Sequence, residues 1–379
     1  MALVSVIIPI YKAEKYIERC TRSLFSQTLD DMEFVFIDDC SPDNSVDVLM
    51  RVIEEYPERA SQVVLLRNEQ NRGSAYTRAK GMEAVTGEYL GFCDSDDWCE
   101  HDMYEKMYES AIKSDADLVC CGVFCERDSI AEECVYPYDN ETKNKVFNYL
   151  HMEGVPFSAI WNKLFKLEFI RAKKIDFILG ANHWEDMGIT LRARSLSSCT
   201  VIINKVFYHY NCQNQSSLCH KINIDSYKER MICAGALCEY FKQNASDVYN
   251  EYKKYFAYLC FMSKKIFYSP EYYDFDMWRN QLRFANKYIL LFSPVPVQER
   301  VKYWLSKGAQ PTERLEKLLS KLGLVNAPKI HEQPKKSAPK AKTVERMKAK
   351  EEKAAAAAAA AAEAAASAEA PAEEAASAE

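Results

Sequence analysis

The N-terminal part of the chain alternates between apolar runs and segments whose apolar residues recur at helical spacing. The apolar runs predict strands at residues 4–10, 33–38, 62–67 and 89–93. The intervening segments predict helices at residues 13–27, 43–56 and 74–85. The runs are continuously apolar, which is typical of strands covered on both faces. The chain is therefore expected to be an α/β protein with a mostly parallel sheet flanked by helices.

Acidic clusters follow two of these predicted strands. Asp38 and Asp39 end the second strand, and Asp94, Asp96 and Asp97 follow the fourth. The carboxyl ends of parallel strands lie at one edge of the sheet, where such folds bind ligands. Crowded carboxylates need a cation or hydrogen-bond donors to offset their repulsion. The sequence therefore predicts Mg²⁺ or Mn²⁺ at this edge, bridging it to a diphosphate.

Strand-end aspartates also have a purely structural interpretation, in which they form Asx turns or cap helices. Asp97 is expected to cap a helix that begins near His101, and Asp43 or Asn44 to cap the helix at residues 43–56. The presence of acidic clusters after two different strands favours the ligand interpretation for the remaining aspartates.

The turn after the first strand, residues 9–16, reads PIYKAEKY and contains no glycine. It therefore lacks the GxGxxG loop of dinucleotide-binding folds, and the chain also lacks a P-loop. Without either phosphate-binding loop, binding of a diphosphate through a metal ion is the simplest alternative. Asp38 or Asp39 is then a natural acceptor for a ribose or a base.

Charge and cysteine usage restrict the class of protein. The net charge of -6 gives no reason to expect a nucleic-acid partner. The 14 cysteines lie in ordinary or apolar segments without paired CxxC motifs at zinc spacing, and no signal segment follows Met1. We therefore expect free thiols in a reducing cytoplasm. No apolar run approaches the ~20 residues that a spanning helix needs, so the protein is expected to be soluble or peripheral to a membrane.

The composition divides the chain into three regions. Residues 1–215 carry the α/β pattern, and residues 216–327 are expected to be helical, with aromatic residues throughout. Residues 328–379 are rich in Lys and Pro and then in Ala and Glu, without an aromatic residue, and are expected to be disordered. The basic half of this tail either contacts anionic lipid or polysaccharide or serves only for solubility.

Two stretches resemble the family 2 glycosyltransferases, which have a GT-A fold. They are VSVIIPIYKAEKYIERCTRSLFSQTLDDMEFVFIDDCSPDNS at residues 4–45 and NRGSAYTRAKGMEAVTGEYLGFCDSDDW at residues 71–98. Weaker similarity continues at IWNKLFK, residues 160–166, and HWEDMGITLRA, residues 183–193. The resemblance implies a metal-dependent, inverting transfer from a nucleoside-diphosphate sugar, usually UDP-linked, to a hydroxyl of a glycan or a lipid-linked acceptor. It also implies a bacterial surface-polysaccharide pathway at the cytoplasmic face of the inner membrane.

The same resemblance implies roles for individual residues. The nucleotide-sugar pocket is expected to comprise Pro9, Tyr11, Asp38, Asp39, Arg78, Asp94 and Ser95. Asp94 and Asp96 match the family's Asp-x-Asp motif. Asp96 is expected to bind the metal directly, and Asp94 is expected to contact the ribose and to contribute to the metal site. Glu185 and Asp186 match the acidic pair, with Asp186 as the catalytic base that accepts the proton of the acceptor hydroxyl. The structural interpretation of this pair is a helix N-terminus, where acidic residues are favoured.

Other positions have a functional and a structural interpretation. Trp161, Lys163 and Trp184 are expected on the acceptor side, or else at a helix start over the core (Trp161 and Lys163) and in the core itself (Trp184). His209 is either a further metal ligand, as a late histidine is in many GT-A enzymes, or a packing residue on an aromatic strand.

The chain departs from the family pattern at two positions. Cys40 stands where the family often has glycine, and Ala79 where it has asparagine. These changes affect donor contacts and not the fold. Two other functions remain open: a nucleotidyltransferase, which is disfavoured because it needs a glycine-rich basic loop after the first strand, and a catalytically inactive protein that binds sugar nucleotides or glycans.

Overall fold

The computed structural model describes residues 2–127, 130–136, 157–214, 223–268, 272 and 274–288, together with positions 305, 316, 317, 319, 320, 325 and 326. The chain divides into one compact unit over Met1–Ser293 and a second over Pro294–Glu379. The predicted tail, residues 328–379, lies outside the described residues, as does most of the predicted helical region beyond residue 288.

The described part of the first unit is built on a nine-stranded sheet. Its strands are β1 Val4–Ile10, β2 Met32–Asp38, β3 Val63–Arg67, β4 Tyr89–Phe92, β5 Trp98–Cys99, β6 Leu118–Arg127, β7 Ile130–Cys134, β8 Lys163–Lys166 and β9 Thr200–Asn211. Their order is β3-β2-β1-β4-β8-β6-β9-β5, with β7 paired to β6. The strands β1 to β4 are mutually parallel, as predicted, and β6 is parallel to β9. The strand β8 is antiparallel to both neighbours, so the second half of the sheet is mixed.

Helices flank the sheet and continue beyond it. They are α1 Ile17–Phe25, α2 Ser45–Glu55, α3 Pro57–Ala60, α4 Ser74–Ala84, α5 Met103–Ser114, α6 Leu167–Ala172, α7 Glu185–Leu196, α8 Ile224–Asn244, α9 Ser246–Glu251, α10 Lys253–Lys264 and α11 Phe275–Asn280. Short 3₁₀ helices follow at Lys265–Tyr268 and Arg283–Tyr288. Each predicted N-terminal helix is present, although the first begins at Ile17 and not at residue 13.

Side-chain size determines how closely the helices pack on the sheet. Nearly every side chain of β1 and β2 is buried, as expected for strands that are covered on both faces. Gly81 lies where α4 crosses these strands, and a Cβ there would come within 2.8 Å of Ile7 and 3.0 Å of Ile37. The missing side chain therefore lets α4, which carries Arg78, lie directly on the strands.

The helices after residue 223 have an apolar cluster of their own. Leu237, Phe241 and Phe256 are fully buried in it, and it also includes Met187 and Leu191 of α7. The helical region therefore supports α7, the helix that begins with Glu185. The predicted domain limits at residues 215 and 327 stay a prediction.

Several local predictions are wrong for identifiable reasons. Trp161 and Lys163 do not begin a helix, because this segment enters β8 and pairs with β4 and β6. Asn44 precedes α2 without a side-chain capping bond. Asp43 instead accepts hydrogen bonds from Ser41 and Ser45 in the turn before that helix. The described cysteines are free thiols, and none of the described helices is long and apolar enough to cross a membrane.

Candidate active site

A cavity of about 840 Å³ lies at the carboxyl ends of β1, β2 and β4. It gathers most of the residues that the sequence predicts for one site, namely Pro9, Tyr11, Asp39, Arg78, Asp94, Ser95, Asp96, Trp161, Trp184, Glu185 and Asp186. Asp38, Lys163 and His209 are predicted site residues that do not line it. The strand ends, α4 and the start of α7 therefore supply one continuous wall.

Arg78 joins the two acidic segments of the cavity. Its side chain is 6% exposed, and the guanidinium donates to Asp94 Oδ1 through Nη2 at 2.6 Å and to Glu185 Oε1 through Nη1 at 2.9 Å. Asp186 Oδ1 lies 3.9 Å from the same Nη1. A single cation thus faces three carboxyl groups, which leaves the cluster with an excess of negative charge whenever all three are ionised.

The protonation of Asp186 follows from this crowding. Burial raises the pKa of Asp186 to about 8, Arg78 lowers it, and Glu185 and Asp94 raise it further. Burial also raises the pKa of Glu185, against the lowering effect of Arg78. Asp186 Oδ1 is buried and makes no hydrogen bond. The raised pKa favours the protonated form of Asp186, and only the ionised form can accept a proton from another group.

Asp94 and Asp96 present oxygen ligands to the cavity. Burial raises the pKa of Asp96, and the neighbouring Asp94 raises it further, while the amide of Asn214 donates to Asp96 Oδ2 at 2.7 Å. No group of three or more His, Cys, Asp or Glu side chains among the described residues could hold a metal ion. The pair does not form a complete protein cage, but Mg²⁺ is commonly bound by one or two carboxylates together with substrate phosphates. These residues fit that second arrangement.

Asp97 does not have the capping role predicted for it. The side chain is fully buried, accepting a hydrogen bond from Tyr208 Oη at 2.7 Å and another from the Asn211 backbone at 2.8 Å. Burial, together with Asp96 and Asp94, raises its pKa well above the ordinary value. Asp97 thus ties the turn after β4 to β9, while α5 begins at Met103 without a side-chain cap.

The two aspartates that end β2 have different environments. Asp39 lines the cavity and accepts hydrogen bonds from the side chain of Asn68 at 2.8 Å and from the backbones of Arg72 at 2.8 Å and Gly73 at 2.9 Å. Asp38 is buried behind it, where its Oδ1 accepts from the Ser41 backbone at 2.8 Å. Asp39 therefore organises the loop that leads into α4.

His209 lies in an aromatic stack on β9 and does not line the cavity. Its ring packs between Trp98, at 4.9 Å, and Phe124, at 4.7 Å. Glu126 is 2.8 Å from Nδ1 and Glu100 is 3.0 Å from Nε2, so a carboxylate faces each ring nitrogen. These contacts favour the packing interpretation of His209 over the metal-ligand interpretation.

Of the three predicted acceptor-side residues, Trp161 and Trp184 line the cavity and Lys163 does not. Trp161 lines the cavity and stacks on Tyr208 at 4.4 Å and Tyr210 at 5.4 Å. Lys163 is fully buried, and its Nζ donates to Asn162 Oδ1 at 2.8 Å. Burial lowers the pKa of Lys163 to about 8. Lys163 is therefore a core residue that does not itself line the cavity.

Comparison with known proteins identifies the domain. Residues 5–166 match the family model described as "Glycosyl transferase family 2". This segment belongs to glycosyl transferase family 2. The family 2 domain contains the Asp-x-Asp segment and Arg78, whereas Glu185 and Asp186 follow after its matched end.

Relatives and solved structures extend the similarity. The protein EpsH of Bacillus subtilis (strain 168) is 32% identical over 213 residues, covering 55% of this chain and 60% of EpsH. The uncharacterized glycosyltransferase YibD of Escherichia coli (strain K12) is 29% identical over 273 residues, 67% of this chain and 76% of YibD. The crystal structure of Staphylococcus aureus TarS 1–349 with UDP-GlcNAc has a TM-score of 0.52 at 17% identity, covering 68% of this chain and 79% of TarS. The chain thus spans about three fifths of the length of EpsH. The structural similarity to TarS confirms the predicted GT-A fold.

The cavity, which is lined largely by the family 2 domain, also includes residues that the sequence did not predict. They are Asn71, Asn182, His183, Asn214, Glu229 and Arg230. Asn182 and His183 directly precede Trp184, Glu185 and Asp186 in the sequence. Their position next to predicted site residues could have identified them as candidates. Glu229 and Arg230 belong to α8, and no motif in the sequence distinguishes them from other helical residues.

Proposed function

We propose that the chain is a metal-dependent, inverting glycosyltransferase that moves a sugar from a nucleoside-diphosphate sugar to a hydroxyl of a glycan or lipid-linked acceptor. The observation that carries the proposal is the contact of Arg78 with both Asp94 and Glu185. This contact brings the Asp-x-Asp segment and the Glu185–Asp186 pair, which are distant in the chain, into one cavity. The TarS complexes with UDP-GlcNAc and with UDP support a UDP-linked donor.

The donor side is assigned to the strand ends. Tyr11 and Asp39 line the cavity after β1 and β2, where a uridine and its ribose can find a ring face and a hydrogen-bond acceptor. Asp94 and Asp96 would hold Mn²⁺ or Mg²⁺ together with the diphosphate. When bound, such an ion neutralises the charge that develops on the departing diphosphate.

The acceptor side is assigned to the start of α7. Asp186 accepts the proton of the attacking hydroxyl, and because burial raises its pKa to about 8, the reaction requires the ionised fraction. Arg78 and Lys163 both lower that pKa and so favour the ionised form. We place the protein in surface-polysaccharide synthesis at the cytoplasmic face of the membrane, in keeping with the bacterial relatives.

The first experiment is a panel of nucleotide sugars with Mn²⁺, scored by thermal shift and by release of the nucleotide. One UDP-sugar is expected to stabilise the protein and to release UDP when an acceptor extract is present. Asp96→Ala is expected to abolish the metal-dependent release, whereas Asp30→Ala, which removes an exposed carboxylate elsewhere, leaves it unchanged. Tight UDP binding without turnover by any donor would instead indicate an inactive sugar-nucleotide-binding protein.

A further inference from the structure

Arg230 is a cation of the cavity wall that has no carboxylate partner among the described residues. It lies on α8 and lines the cavity, and its Nε is buried without a hydrogen-bond partner. Its guanidinium carbon lies 5.5 Å from the ring centre of Trp184 and 4.9 Å from that of Tyr227. By contrast, the guanidinium of Arg78 is already bonded to Asp94 and Glu185.

Glu229, the residue before Arg230, forms its ion pair with His183 and not with Arg230. Glu229 accepts hydrogen bonds from His183, through the backbone at 3.0 Å and through Nδ1 at 2.8 Å. The planar guanidinium of arginine pairs well with phosphate or carboxylate, and such charge-assisted bonds are stronger than neutral ones. A partly buried arginine that stacks on aromatic rings, with no carboxylate partner in the described part of the chain, is prepared for an anionic ligand.

The backbone at Trp184 adds an independent observation. Trp184 has φ 71° and ψ 15°, a left-handed conformation that is unfavourable for a residue with a bulky side chain. Strained residues of this kind concentrate at functional sites. Here the strained residue directly precedes Glu185 and Asp186 and presents its indole to Arg230. The strained residue, Trp184, is therefore the same residue that connects Arg230 to the start of α7.

The position of Arg230 determines which substrate it faces. In a displacement with inversion, the attacking and leaving oxygens lie on opposite faces of the sugar ring. Arg230 is linked through Trp184 to the segment that carries Asp186, the proposed base, whereas the proposed diphosphate site lies at Asp94 and Asp96. The cation therefore belongs to the side from which the acceptor attacks.

We infer that Arg230 and Trp184 form an acceptor subsite for an anionic group, so that the acceptor carries a phosphate or a carboxylate close to its attacking hydroxyl. This inference rests on the proposed function, because it uses Asp186 to define the acceptor side. Glu229 and His183 fix the adjoining wall of the subsite. A phosphate and a carboxylate share the chemistry that Arg230 recognises, and the experiment separates them.

The test measures the affinity of the full chain for charged and neutral probes by isothermal titration calorimetry, with and without UDP and Mn²⁺. The probes are glycerol 3-phosphate and glucuronic acid, matched with glycerol and glucose. The wild-type chain is expected to bind at least one anion about tenfold or more tightly than its neutral counterpart, the range of a charge-assisted contact. The stronger of the two anions identifies the acceptor group as phosphate or carboxylate.

Three variants make the result specific. Arg230→Gln is expected to remove the anion preference while UDP affinity stays within about twofold of wild type. Arg230→Lys keeps the charge without the planar fork and is expected to retain part of the preference. Lys228→Gln removes the same charge from the exposed face of α8 and is expected to change neither affinity.

The outcomes separate the inference from the proposed function. Equal affinity of the wild-type chain for charged and neutral probes would overturn the subsite. A fall in UDP affinity in Arg230→Gln, with the anion preference intact, would also overturn it, because the cation would then serve the donor. Failure of the wild-type chain to bind UDP at all would count against the proposed function, whatever the anion probes show.

Discussion

Replacing Asp186 with asparagine is expected to remove part of the pH dependence of the free energy of unfolding. Burial raises the pKa of the folded Asp186 to about 8, whereas an unfolded aspartate titrates near 3.9. Between these values the folded chain keeps a proton that the unfolded chain has lost. The free energy of unfolding contributed by this group therefore falls as the pH rises, and the loss stops above the folded pKa.

The magnitude follows from the proton linkage. Each pH unit in this window costs ~1.4 kcal/mol, so from pH 5 to pH 7 the wild-type chain loses about 2.7 kcal/mol through Asp186. The side chain is 24% exposed, and the contact with solvent makes this figure an upper value. Asparagine is isosteric with the protonated carboxyl and cannot ionise, so the variant lacks this loss.

The assay is urea denaturation of both proteins at pH 5, 6 and 7. Relative to the wild type, Asp186→Asn is expected to become progressively more stable, by as much as about 2–3 kcal/mol at pH 7 compared with pH 5. Asp30→Asn, at an exposed site, serves as the control and is expected to follow the wild type. A constant difference between Asp186→Asn and the wild type across this range would show that the folded Asp186 is already ionised, and the reasoning would be refuted.

Two further substitutions test the structure around the cavity. Arg78→Gln leaves Asp94 and Glu185 without their buried cation, so it is expected to cost about 3–5 kcal/mol of unfolding free energy by urea titration. Because Arg78 lowers the pKa of Asp186, the acid limb of the variant's pH–rate profile is expected at higher pH. An unchanged acid limb would contradict this effect of Arg78 on Asp186. Gly73→Ala is expected to cost about 1–3 kcal/mol, because Gly73 has φ +85° and a Cβ there would lie 2.4 Å from Asn182 Oδ1. Adding Asn182→Ala is expected to recover only the steric part of that loss, and full recovery would show that the backbone conformation is not strained.

The first half of the fold could be predicted because each strand is a continuous apolar run and each crossover is a helix of ordinary length. The convergence of Asp39, Asp94 and Asp96 follows from the same pattern, since parallel strands end at one edge. The insertion of β8 between β4 and β6 could not be predicted, because a short apolar segment such as IWNKLFK has no periodicity that separates strand from helix. Its pairing depends on contacts that are distant in the sequence.

The limits of the site prediction have similar causes. The sequence places His209 on an aromatic strand, but the carboxylates of Glu100 and Glu126 that face its ring belong to other segments. The same holds for Arg230, whose importance depends on where α8 packs against the start of α7. Residue identity and local pattern do not contain that information, whereas Arg78 and Asp186 could be predicted as site residues because they resemble a family motif.

The most direct test of the proposed mechanism measures UDP affinity and sugar transfer side by side in the wild type and Asp186→Asn, with the UDP-sugar that the wild type uses. We predict that UDP affinity is retained within about twofold, while transfer falls by at least about two orders of magnitude, the typical contribution of a general base. Transfer at the wild-type rate by Asp186→Asn would contradict the assignment of Asp186 as the base.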